Sequence, residues 1–267
     1  MPINLEDLII SEAEHFVVIN KPTNLVVNRS ETAKSTTLQD LVEASNILNR
    51  KKDIPEAKNV KDLDTLFDEF TARSGIVHRL DKNTSGVLLV AKDIFGFYVL
   101  KKQFVKRKVK KEYHAVVWGD FLKSLEDKDY ILVDLPIDRS PRNRQKFAIV
   151  ATGRPAVTKV YSAHPLLNKK LNYVGTLEGN VFSFVKALPK TGRTHQIRVH
   201  LKALNHEILG DDIYQGKKQN QFSQKHNFPL MLHAYKLNFK FLNKLYKFKA
   251  DYPKEFKESV QKIDWSI

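Results

Sequence analysis

The sequence predicts an α+β fold: a central mixed, largely antiparallel sheet flanked by helices and loops. Three observations carry this expectation. Many short apolar or alternating runs read as strands, and only a few stretches carry a helical period. The two kinds do not alternate one for one, as a βαβ succession would require. No tandem repeat and no Gly/Ser linker breaks the 267 residues, so one domain, 1–267, is expected.

Taken in order, "HFVVINKP" is a strand from Phe16 to Asn20, stopped at Pro22, and "NLVV" is a second short apolar run. Residues 36–49 read as a helix, with Leu38, Leu41, Val42 and Leu48 near one face. Residues 50–72 are charged and poor in apolar side chains; they read as a solvated insertion with one short helix at "DLDTLFDEF". "SGIVHRL" leads into the turn "DKNTSG", and the continuous apolar "VLLVAK" is a buried strand. "DIFGFYVLKKQFVKRK" repeats Phe97, Leu100 and Phe104 at helical spacing. "KEYHAVVWG" alternates as a strand, with Tyr113, Ala115 and Val117 on one side. "YILVDLPI" is another strand, and "DRSPRNRQKFAIV" is a basic turn entering a further one. "AVTKVYSAHPL" and "VFSFVKALP" follow as strands. "KTGRTHQIRVHLKAL" is a turn and then a helix, with Ile197, Leu201 and Leu204 on its buried stripe. "LMLHAYKLNFKF" and "KLYKFKA" are late strands.

Apolar residues make up 42% of the chain, enough for a sizeable core. Lys plus Arg number 45 against 30 Asp plus Glu, a net charge of +15. Such a charge repels itself in the compact state unless a polyanion is the partner, and nucleic acid is the usual one. A proteome rich in lysine gives the same balance. The chain has no cysteine, which excludes disulfides, thiolate zinc sites and Cys nucleophiles. None of the nine histidines sits in an H-E-x-x-H pattern, so neither a metal nor another cofactor is expected. No apolar run reaches the roughly 18 residues of a membrane span. The first residues carry Glu6, Asp7, Glu12 and Glu14 and no basic side chain, unlike a secretion signal or a transit peptide. An intracellular protein is expected, in the cytoplasm, with the mitochondrial matrix as the alternative.

Three stretches can carry chemistry: Asn20–Pro22, His78–Gly86 and Thr191–His200. Asp81 stands before a Thr-Ser-Gly turn, where backbone N–H groups and hydroxyls can hold a carboxylate ionised. An oriented carboxylate is a nucleophile or a base; the structural reading of the same residues is an Asx-turn. "DKNT" also approaches the D-x-D-x-T loop of aspartate-nucleophile phosphotransferases. There the apolar strand precedes the Asp, whereas here Val87–Val90 follows it and Asn83 replaces the second acid. In the third stretch Arg193 and Arg198 can contact phosphates, or Arg198 can pair with a carboxylate. Alone, these residues read as a basic helix end in solvent.

Together the stretches resemble one family. "HRLDKNTSGVLLVAK" resembles the H-R-L-D-x-x-T-S-G signature of the RluA-type RNA pseudouridine synthases, and "KTGRTHQIRVHL" resembles that family's G-R-T-H-Q-I-R-x-H segment. "VVINKPTNLVV", "KEYHAVVWG", "ILGDDIYQG" and "LHAYKLNF" resemble four more of its motifs, in the same order, over about residues 16–241. Departures fall outside the catalytic motif: His15 stands where an acid is often found before V-x-N-K-P, Thr23-Asn24 follows N-K-P, 50–72 is an insertion, and Gln215 is an extra residue. The family's N-terminal S4 domain is not expected here.

The resemblance implies a pseudouridine-synthase-type catalytic domain that isomerises a uridine in RNA without cofactor. The N1–C1′ bond breaks, the uracil turns, and a C5–C1′ bond forms. It implies that Asp81 is the catalytic aspartate, acting at C1′, at C6 or toward a glycal. It implies Arg198 as the basic partner of that Asp, through a bidentate guanidinium, and Tyr113 as the ring that stacks on the uracil. A stacked uridine must be flipped out to be reached. Arg79 is placed to fill the vacated space or hold a phosphate, with His78 beside it. Arg193, Lys106, Arg107, Lys108, Arg142 and Arg144 are the further RNA contacts expected. The partner is RNA, ribosomal RNA ahead of tRNA, and the enzyme is expected to act as a monomer with no membrane. The alternative class is a non-catalytic RNA-binding assembly factor on this fold; Asp81, Tyr113 and Arg198 together argue against it, because binding alone needs none of them.

Overall fold

The computed structural model describes residues 3–30, 35–51, 62–163 and 173–265. The chain falls into two compact units, each made of two separate stretches. One is Met1–Lys110 with Lys236–Asp251, and the other is Lys111–Tyr235 with Tyr252–Ile267.

The first unit opens with antiparallel strands β1 (Ile9–Glu12) and β2 (Phe16–Lys21). Helix α1 (Leu38–Ala44) starts at a reciprocal cap: Asp40 N–H donates to Thr37 Oγ1, and Thr37 N–H donates to the Asp40 carboxylate. Two more of its first N–H groups, on Leu38 and Gln39, donate to the carbonyls of Val26 and Val27. The run "NLVV" is therefore no strand. It is a loop whose Leu25 and Val27 are buried and whose carbonyls finish the helix. α1 is also shorter than the 36–49 expected.

Helix α2 (Leu63–Ala72) is the short helix expected at "DLDTLFDEF", and one of its side chains is drawn into the core. Phe70 is fully buried, 5.7 Å from the ring of Phe97. Residues 52–61 of the expected insertion lie outside the described residues. Strand β3 (Ser85–Ala91) is buried at every position, as a continuous apolar run requires. It pairs antiparallel with β2 in a register that sets Asn20 opposite Val87 and Lys21 opposite Gly86. Helix α3 (Ile94–Val105) is capped by Asp93, which accepts from Gly96 N–H with one oxygen and meets His15 Nδ1 with the other.

The second unit holds β4 (Lys110–Trp118, its first residue apart), α4 (Phe121–Leu125), β5 (Ile131–Asp134), β6 (Ile137–Arg139), β7 (Phe147–Ile149) and β8 (Val157–Ser162). It continues with β9 (Val174–Leu177), β10 (Asn180–Pro189), α5 (Gln196–Ala203) and α6 (Lys217–Lys225). Antiparallel pairing orders its sheet β4-β10-β8-β5, with β9 on β10 and a separate β6–β7 ribbon. "YILVDLPI" thus splits into β5 and β6. β4 does not alternate along its length: Ala115 to Trp118 are all buried, against a core that includes Phe121, Phe182, Phe184 and Met231. The end of "AVTKVYSAHPL", from residue 164, lies outside the described residues.

Strand β11 (Leu232–Phe241) starts in the second unit and ends in the first, where β12 (Lys244–Lys249) pairs with it as a hairpin. Phe239, Tyr246 and Phe248 of this hairpin gather around Phe16 of β2. The chain then returns to the second unit with α7 (Lys254–Gln261), which buries Phe256 and Val260. The class is α+β, and among the described residues no helix is long and apolar enough to cross a membrane.

Candidate active site

Asp81 stands four residues before β3, at the head of a turn. Thr84 N–H donates to the Asp81 carbonyl at 3.1 Å, which closes the turn over Lys82 and Asn83. The Asp81 side chain is half-buried between buried Leu80 and exposed Lys82. Its neighbour Arg79 is exposed. Of the hydroxyls expected to hold the carboxylate, that of Thr84 does not: its Oγ1 is buried and makes no hydrogen bond among the described residues. His78 is tied into the fold. Its Nε2 accepts from Leu89 N–H at 3.0 Å, and its ring stacks on Phe104 at 4.5 Å. The neutral ring therefore carries its proton on Nδ1.

Lys21 reaches the same turn from β2. It is fully buried, and its ammonium donates to the carbonyls of Pro22 at 2.7 Å, Leu25 at 2.9 Å and Lys82 at 3.0 Å. Burial pushes its pKa down from 10.5 to about 7, and the Asp81 charge opposes that fall. Lysine is rarely buried without a reason of this kind.

In the second unit, Gln196 organises the turn of "KTGRTHQIR". Its carbonyl oxygen accepts from Thr191 Oγ1 at 2.7 Å and from Arg193 N–H at 3.0 Å. Its amide nitrogen donates to Val157 O at 3.0 Å and Thr158 Oγ1 at 2.9 Å. All of its hydrogen-bonding capacity is used, so the turn is pinned to β8. Lys111 of β4 donates to Thr191 O at 2.8 Å, and its burial lowers its pKa to about 8. Arg193 is half-buried, with Nε donating to Pro155 O at 3.1 Å.

Arg198 is 3% exposed, and its fork grips Asp211: Nε donates to Oδ2 at 2.8 Å and Nη2 to Oδ1 at 2.7 Å. Oδ1 also accepts from the N–H groups of Ile213 and Tyr214, both at 3.1 Å. One edge of the guanidinium is thus engaged bidentately by Asp211, through two parallel N–H bonds to one carboxylate. The Tyr214 ring lies 5.1 Å from the guanidinium. Gly210, just before Asp211, has φ +78°, and a Cβ there would stand 1.8 Å from Pro229 O, so only glycine fits. Gln215, the extra residue, accepts from Trp118 Nε1 at 2.6 Å inside the unit.

Of the residues the sequence singled out, Asp81, His78, Arg79, Lys106, Arg107 and Lys108 lie in the first unit, the last three exposed after α3. Tyr113, Arg142, Arg144, Arg193 and Arg198 lie in the second. Tyr113 is half-buried on β4, opposite Ala187 of β10, and Arg142 and Arg144 are exposed in the loop joining β6 to β7. Asp211 and the buried ammonium of Lys21 had been given no role. Each stands in a motif quoted above, but nothing in either motif ties it to its partner.

The family model described as RNA pseudouridylate synthase matches residues 15–203, and the chain belongs to that family. Among curated relatives, the protein named ribosomal large subunit pseudouridine synthase D of Borreliella burgdorferi is 34% identical over 257 residues, covering 96% of this chain and 68% of that protein. An uncharacterized RNA pseudouridine synthase of Aquifex aeolicus is 36% identical over 213 residues, covering 80% of this chain and 57% of its own. The solved structure titled human RNA pseudouridylate synthase domain containing 1 shares the fold, with a TM-score of 0.67, 23% identity, and coverage of 99% of this chain and 91% of that one.

Proposed function

We propose that this enzyme converts a uridine of ribosomal RNA to pseudouridine, with Asp81 as the catalytic carboxylate. The observation that carries the reading is the placement of Asp81: a half-buried carboxylate in a closed turn, backed by the ammonium of Lys21. An acid held this way stays oriented and still faces solvent, as attack at C1′ or C6, or proton removal toward a glycal, demands. The ribosomal target is supported by the names of relatives such as the Borreliella protein. Tyr113 as the platform for the uracil and Arg198 as the basic partner of the catalytic carboxylate are supported by their motifs. Exposed Arg79 takes the space of the flipped nucleotide or a phosphate. Lys106, Arg107, Lys108, Arg142 and Arg144 supply further positive charge to the backbone. The enzyme acts as a monomer.

The test is a map of pseudouridine in total RNA from cells with the gene, without it, and with Asp81→Asn in its place. A single ribosomal uridine should lose its modification in the second and third. A site lost from tRNA instead would reject the ribosomal target. Full modification with Asp81→Asn would reject the catalytic assignment.

A further inference from the structure

The stretch Asn20–Pro22 was singled out by the sequence, and the reading above gives it no step. Lys21 ends β2 opposite Gly86, so its side chain lies under the loop that Asp81 begins. Its three N–H groups meet three carbonyls. Two belong to the turn that follows β2, on Pro22 and Leu25. The third is on Lys82, one peptide beyond the catalytic residue. What faces the ammonium from its own turn and from the loop is carbonyl oxygen, and the charged group that faces it is Asp81. No hydrogen remains for the Asp81 carboxylate, so Lys21 acts on it through the Lys82 peptide and through its field.

We propose that Lys21 is a positioning residue for catalysis: its ammonium ties the Lys82 peptide to the turn after β2, and thereby sets the direction of the Asp81 carboxylate. The inference rests on Asp81 being the catalytic carboxylate. A neutral amine has only two N–H groups and cannot serve three acceptors, so loss of the proton frees one carbonyl and removes the charge behind Asp81. Burial has already brought that proton loss near neutrality. The anchor is therefore complete in mild acid and incomplete in mild base. A lysine that only filled space would show no such dependence.

The experiment is single-turnover pseudouridine formation by wild type, Lys21→Met and Asp81→Asn on one RNA stem-loop carrying the target uridine, from about pH 6 to about pH 9. Methionine keeps the length and loses the donors and the charge. At about pH 6 Lys21→Met should be roughly 10- to 100-fold slower, the range expected for one charged hydrogen bond lost at a reacting group. Its RNA affinity should stay within about twofold. The ratio of wild-type to Lys21→Met rates should shrink as the pH rises through about 7, because wild type then loses what the variant never had. A ratio that is constant with pH, or a variant as fast as wild type, overturns the proposal. Should Lys21→Met fail to fold, wild type alone decides: its rate must fall across the same range, and a flat profile overturns the inference. Asp81→Asn separates the two claims. If it still turns over, the catalytic reading itself has failed; if it is dead while Lys21→Met is normal, only the positioning role has.

Discussion

At the scale of single residues, the Arg198–Asp211 pair places two charges inside the second unit. Arg198 is 3% exposed and Asp211 fully buried. Taking away one partner strands the other in a medium that solvates it poorly. Asp211→Asn is expected to lower the unfolding free energy by about 3–5 kcal/mol, read from urea unfolding. A loss under about 1 kcal/mol would mean that exposed Asp212, 3.9 Å from Nη2, takes over the guanidinium. Arg198→Lys should also be poorly tolerated, since an ammonium cannot reproduce two parallel bonds to one carboxylate. Little of this was legible in the sequence. An Arg at the start of a helix and an Asp thirteen residues on carry no periodicity that ties them, and lysine and arginine are surface residues by default. Asp81 was legible, because the turn and the apolar strand after it are local.

At the scale of elements, β3 and α3 were readable for the same reason. A short uninterrupted apolar run bounded by turn residues reads as a strand covered on both faces, and Asp93 ahead of Phe97 and Leu100 signals a helix start. α6 was missed because "KKQNQFSQK" offers little apolar stripe; of its residues Ser223 is buried and Phe222 packs on the core from the edge. α2 was expected as a short helix; the burial of Phe70 was not readable, since its partner, Phe97, is on another helix. The exposed run after α3 belongs to this scale too. With about five phosphate contacts to single-stranded RNA, log K should fall against log salt with a slope of about −3.5. Neutralising Lys106, Arg107 and Lys108 together should reduce that slope by about 2, with the chemical step unchanged. A slope unaltered in filter-binding titrations would mean that this run faces away from the RNA.

At the scale of the whole molecule, Lys21 couples folding to protons with a sign opposite to its effect on turnover. Its folded pKa is about 7 against an ordinary 10.5. Between these values the unfolded chain holds a proton that the folded chain has released, so stability from this group rises with pH and is lost as pH falls through about 7. The melting temperature of wild type relative to Lys21→Met should therefore climb from about pH 6 to about pH 9, while the rate ratio shrinks. Scanning calorimetry at several pH values checks it; parallel movement of the two would contradict the linkage. The order of the chain has a consequence of another kind. Phe16 of β2 is made well before three of the rings that cover it, on Phe239, Tyr246 and Phe248. While the ribosome translates the residues between, β2 and β3 leave the exit tunnel as an apolar pair without that cover. The nascent chain thus carries a sticky surface until β11 and β12 have been made, and a transcript truncated before residue 236 encodes a first unit that can never close.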